Sequence, residues 1–105
     1  MPQPNPKQLR QMQQNVLRQL EQAQGDLAAQ EVEGSAGGGA VTVRANGRQR
    51  ITGITIETEV LEEGAELLGD LVLAAVNDAL DRSRELAAQS MEALLPPGML
   101  PPGLR

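Results

Sequence analysis

The side chains able to do chemistry in this chain are few. They are Ser35, Ser83, Ser90, some threonines, one lysine, eight arginines and fourteen acids, with no histidine and no cysteine. The missing imidazole removes the usual activating base for a serine, and the missing thiol removes disulfides, thiolate nucleophiles and cysteine-based zinc sites. Carboxylates are paired at Glu57 and Glu59 and at Glu62 and Glu63. On a solvated connector such pairs read as surface rather than as a hydrolytic acid and base, and they lack the alternating Asp/Asn pattern and central glycine of a calcium loop. The triple glycine at 37–39 is followed by no Gly-Lys-Ser/Thr and opens no helix, so it is not a phosphate cradle. No enzyme activity, cofactor or metal is expected.

What remains is positive charge, and its placement matters more than its sum. The formal net charge is −5. Yet residues 1–20 carry only Lys7, Arg10 and Arg18, residues 40–56 carry only Arg44, Arg48 and Arg50, and residues 57–70 carry six acids and no base. A polarised surface follows. Phe, Tyr and Trp are absent, which leaves little for stacking unpaired bases. Phosphate contact on duplex DNA is the mode these residues can supply, with little base readout. The plainer alternatives are a solvated hairpin face paired with acids for Arg44, Arg48 and Arg50, and ordinary helix-surface charge for Lys7, Arg10, Arg18, Arg82 and Arg84.

The elements that position these cations start with residues 40–56. Val41 and Val43 alternate with Thr42 and Arg44, Ile54 and Ile56 flank Thr55, and Asn46-Gly47 between the runs signals a two-residue type I′ hairpin turn. That register strands Ile51 on the wrong face unless a bulge near Thr52-Gly53 returns it. Residues 32–36 are read as a first strand joined through Gly37, Gly38 and Gly39; a flexible Gly-rich connector is the alternative.

Asn5-Pro6 starts a helix that runs to about residue 30, with Leu9, Met12, Val16, Leu20, Ala23 and Leu27 on one stripe and Lys7, Gln14 and Arg18 opposite. Its length of roughly 35–40 Å exceeds what a three-stranded sheet covers, so its N-terminal half projects. After an acidic connector at 58–64, a second long helix at about 65–94 carries Leu68, Val72, Ala75, Val76, Ala79, Ser83 and Leu86 on its main face. Antiparallel pairing of the helices would set Leu27 near Gly69, Leu20 near Val76, Val16 near Leu80 and Leu9 near Ala87. Five cations, Lys7, Arg10, Arg18, Arg82 and Arg84, would then share one projecting arm.

A chain of 105 residues without aromatic residues builds a thin core, so a dimer is expected. No run approaches the ~20 apolar residues that span a bilayer, and an intracellular address follows by default. The organisation expected is one domain over residues 1–95 and a Pro/Gly-rich flexible tail over 96–105, where Leu-Pro-Pro-Gly repeats and either stays extended or docks Met99 or Leu100 on an apolar groove.

The Gln/Met-rich first helix, VEGSAGGGAVTVRANGRQRITGITIE, the acidic stretch before LLGDLVLAAVNDAL and the PPG-containing tail together resemble the YbaB/EbfC family of bacterial nucleoid-associated proteins. The resemblance implies an α+β protomer of order α-β-β-β-α, a small antiparallel sheet with two long projecting helices, and a homodimer joined largely through the sheet region. It also implies duplex DNA binding by basic residues on both helices, here Lys7, Arg10, Arg18, Arg82 and Arg84, in the cytoplasm and nucleoid, with a link to recombination and replication proteins. The hairpin arginines are auxiliary candidates. The competing reading is a protein-interaction module whose arms grip a partner protein.

Overall fold

The computed structural model describes residues 5–94. The order is α1 (Pro6–Ala29), β1 (Glu31–Ala36), β2 (Val41–Asn46), β3 (Ile51–Ile56), α2 (Thr58–Glu62) and α3 (Ala65–Leu94). The three strands form one antiparallel sheet in the order β1-β2-β3, with α3 laid across one face. The expected α+β class and strand order are those observed. The proline-glycine tail beyond residue 95 lies outside the described residues.

Local chemistry explains each boundary. Asn5 caps α1 by accepting the Gln8 N–H at 2.8 Å, while the Gln8 side chain returns the bond to the Asn5 N–H at 3.1 Å. This reciprocal pair satisfies two donors that a helix start leaves orphaned. Gly37, Gly38 and Gly39 all take positive φ, at 66°, 69° and 95°, which explains why three glycines stand between β1 and β2.

The β2–β3 connection differs from the two-residue turn that Asn46-Gly47 predicts. Asn46 is the last paired residue, its N–H donating to the Arg50 carbonyl at 2.9 Å, and the loop holds three residues. The Asn46 side chain accepts the N–H groups of Arg48 at 2.9 Å and Arg50 at 3.2 Å, folding the loop from its first position. Positive φ falls on Gln49, at 61°, instead of on Asn46 and Gly47. Gly47 serves close approach: its N–H donates to the carbonyls of Leu27 at 2.8 Å and Gln30 at 3.1 Å, and a Cβ there would lie 2.7 Å from Leu27 Cδ2. The hairpin tip thereby receives the free carbonyls at the end of α1.

The bulge is present. Arg44 pairs with Gly53 and Ala45 with Ile51, so Thr52 is the additional residue and Ile51 returns to the apolar face. The core is Val41, Val43 and Ala45 from β2 against Ala75 and Ala79 of α3, with Val32, Ala36, Ile51, Leu71, Val72 and Val76 around it. Gly34 of β1 makes this contact possible, since a Cβ there would stand 2.7 Å from the Ala75 carbonyl oxygen and closer still to the Ala79 backbone nitrogen.

Two further expectations are corrected. The acidic connector contains a helical turn, α2, held by the buried Val60; five residues are too few to show a period. The sheet accordingly stops at Ile56.

The helix pairing is also displaced. Leu20, Ala23 and Leu27 line a groove with Ala87, Met91 and Leu94, well beyond Gly69 and Val76. Three strands are an odd number, so α1 ends at the Asn46 end of the sheet while the chain leaves β3 at the opposite end. α3 must therefore cross the whole sheet before it meets α1, and α1 buries none of its residues.

Candidate nucleic-acid interface

Where α3 passes the hairpin tip, Ser83 is fully buried. Its hydroxyl accepts the Gln49 N–H at 3.0 Å and donates to the Asn46 carbonyl at 2.5 Å. A hydroxyl is the smallest side chain that closes both bonds, and it holds the tip against the helix. Arg48 and Arg50 flank Gln49 in the chain, and Arg82 and Arg84 flank Ser83. One hydrogen bond thus brings four exposed arginines to the same end of the sheet.

The six acids Glu57, Glu59, Glu62, Glu63, Glu66 and Asp70 are all exposed and follow β3 at the other end. Each strand has six residues, so the poles stand about 20 Å apart at ~3.3 Å per residue. Among the described residues, no group of these acids could hold a metal ion.

The five cations expected on one arm are not gathered. With Leu27 and Ala87 lining the same groove, ~1.5 Å per residue puts Arg18 roughly 20 Å and Lys7 roughly 37 Å from Arg82 along the arm. Lys7, Arg10 and Arg18 lie on the outer part of α1, while Arg82 and Arg84 stand at the arm's base. The displaced helix register is the physical reason.

Partners differ too. Arg82 Nε is 3.3 Å from Asp78 Oδ1, and Arg84 Nη1 is 3.1 Å from Asp81 Oδ1. Both pairs are exposed, where water and salt screen an ion pair and leave it weak. Asp78 also accepts the Ser35 N–H at 3.0 Å, and that bond first, with Arg82 second, holds its carboxyl below the usual aspartate value.

Arg44 lies on the face away from α3, over Gly53, with its Nε 3.8 Å from Glu31 Oε2. That is the cross-strand pairing with an acid weighed for the hairpin arginines. Lys7, Arg10, Arg18, Arg48 and Arg50 make no ion pair among the described residues.

Sequence reasoning missed the Ser83–Gln49–Asn46 junction. The signal was a lone serine at a core position of an otherwise apolar stripe, where a buried hydroxyl needs partners. Its partners are distant in the chain, so periodicity does not point to them.

Similar proteins bear on this arrangement. A nucleoid-associated protein of Chloroflexus aurantiacus is 46% identical over 91 residues, covering 86% of this chain and 91% of the relative. One from Listeria monocytogenes is 49% identical over 82 residues, covering 73% and 78%. The crystal structure of an uncharacterized protein from Helicobacter pylori superposes with a TM-score of 0.77 at 20% identity, covering 90% of this chain and all 100% of that one, a likeness of fold alone. The sequence model of the YbaB/EbfC DNA-binding family matches residues 3–99.

Proposed function

Since the chain belongs to the YbaB/EbfC DNA-binding family, we propose that it is a nucleoid-associated protein that binds double-stranded DNA with little sequence preference, through arginine and lysine contacts to phosphates. The observation that carries this reading is that four exposed arginines stand at the hairpin end of the sheet, Arg48 and Arg50 next to Gln49 and Arg82 and Arg84 next to Ser83, the two residues that the Gln49–Ser83 bond joins. Lys7, Arg10 and Arg18 extend the basic track along α1. The span of roughly 37 Å from Lys7 to Arg82 is close to one turn of duplex, about 34–36 Å. Positive groups at the two ends of that span suit phosphates one helical turn apart, on the same face of the duplex. The absence of aromatic residues supports a duplex over a single strand.

The reading includes a homodimer in the cytoplasm, at the nucleoid. Ile54 and Ile56 on the edge strand β3 are 48% and 37% exposed, and Leu67 and Leu73 of α3 are 41% and 62% exposed. Apolar side chains beside an unpaired strand edge support a second copy joined near the sheet. No helix among the described residues is long and apolar enough to cross a membrane.

The test is a salt titration of binding to a random-sequence duplex. Each phosphate contact contributes about 0.9 to the slope of log affinity against log salt, so Arg48→Ala with Arg50→Ala should lower the slope's magnitude by about 1.8 for each protomer that touches the duplex. Arg82→Ala with Arg84→Ala should act alike. Binding that ignores salt, or that survives all four changes intact, would refute the phosphate-contact reading and leave the arms to a protein partner.

A further inference from the structure

The outer half of α1 carries an apolar stripe with no cover among the described residues. Leu9 is 46% exposed, Met12 58%, Val16 54%, and Leu20, where α3 runs alongside, 48%. Large apolar side chains in one continuous row mark a surface that something covers. We propose that the occupant is this chain's own segment 95–105, laid extended along the stripe from Leu20 towards Leu9.

Position and length carry the argument. α3 ends at Leu94, in the groove that Leu20 also lines, so the next residue of the chain starts where the uncovered stripe starts. From Leu20 to Leu9 is 11 residues of helix, about 16.5 Å at 1.5 Å each. From Leu95 to Leu100 is five residues, which in an extended polyproline conformer would span about 15.5 Å at 3.1 Å each. The apolar repeat of the segment, Leu95 then Met99 and Leu100, thus matches the two ends of the stripe.

The segment's composition suits an apolar bed. Pro96, Pro97, Pro101 and Pro102 bring no N–H to bury and lose little freedom on ordering, and the one charged side chain is Arg105. Covering this side leaves Lys7 and Arg18, on the opposite flank, in water.

The chain has no cysteine and no tryptophan, so introduced ones report alone. In the full-length protein, Met12→Cys/Met99→Cys should form an intrachain disulfide roughly tenfold faster than Gln14→Cys/Met99→Cys, whose first site is on the polar flank, at a rate independent of protein concentration. Equal rates would mean an undocked segment, and bridges that form between chains and rise with concentration would mean that a second copy covers the stripe; either overturns the proposal. Should the cysteine variants fold poorly, Met12→Trp gives a second reading. Its emission should shift to the red when Met99→Asp and Leu100→Asp are added, and an unchanged spectrum counts equally against docking.

Discussion

The two long helices have similar amphipathic patterns and opposite fates. α3, of 30 residues, buries Ala75, Ala79 and Ser83 against the sheet; α1, of 24 residues, buries nothing. The difference lies in side-chain size. α3 offers small residues at the crossing point, and β1 answers with Gly34, so backbone meets backbone. α1 offers Leu9, Met12, Val16 and Leu20, which hold neighbours at a distance and meet α3 only towards its end. Periodicity tells which face of a helix is apolar. Whether that face lies on the protomer's own core depends on how closely it can be approached.

The sharpest way to break this comparison is to fill the crossing point. Gly34→Ala places a methyl 2.7 Å from the Ala75 carbonyl oxygen, against backbone that cannot rotate away. A loss of about 3 kcal/mol is expected, at the upper end of the usual overpacking range, from urea unfolding followed by circular dichroism. Gly69→Ala on α3 is the control, since a Cβ there meets nothing within 4 Å. Equal effects of the two changes would show that the helix is not seated on β1 as described.

Next in size is the junction that joins α3 to the hairpin tip. Ser83→Ala removes both bonds of the hydroxyl and leaves the Gln49 N–H and the Asn46 carbonyl only their own bond to each other, at 3.1 Å. Lost hydrogen bonds of this kind destabilise by about 0.5–1.5 kcal/mol each, and the thermal midpoint should fall accordingly. Duplex affinity should fall as well, because the loop that carries Arg48 and Arg50 would be held less firmly at the end of the sheet where Arg82 and Arg84 stand. A fall in the midpoint with affinity unchanged would separate the arginine cluster from the tip's geometry.

On α1 the sign reverses. Gly25 lies within the helix, and a methyl group added there would meet nothing within 4 Å. Gly25→Ala should therefore raise stability, by up to ~1 kcal/mol of helix propensity. A loss there would show that α1 packs on something at that point and would erase the contrast between the helices.

These contrasts were unevenly legible in the sequence. The parity of Ile51 against Ile54 pointed to a bulge near Thr52-Gly53, and Asn5-Pro6 marked a helix start, because both are local rules about neighbours in the chain. The three-residue loop was not legible, since Asn46-Gly47 satisfies a type I′ turn equally well until the Ser83 hydroxyl holds Gln49 in positive φ. The helix register was misjudged for a different reason. Periodicity fixes rotation about a helix axis but not position along it, which here depends on counting strands. That one displacement moved Arg82 and Arg84 from the arm's tip to its base, beside the hairpin arginines.

The finest probe of the comparison is pH, through Asp78 at the edge of the crossing. Its carboxylate accepts the Ser35 N–H from β1 and pairs with Arg82, and the Ser35 bond is the main reason its pKa lies below the ordinary aspartate value of 3.8. The folded form therefore favours the ionised state, so this link is at full strength above that ordinary value and is lost as pH falls through the lower, folded one. Below pH 3.8 the Ser35 amide resonance should move with a midpoint under that value, and the movement should vanish in Asp78→Asn. Freed of its carboxylate, Arg82 in that variant should also bind duplex slightly more tightly, the smallest effect of the series. A Ser35 midpoint at or above 3.8 would mean that the amide does not hold the carboxylate, and that β1 meets α3 through apolar contact alone.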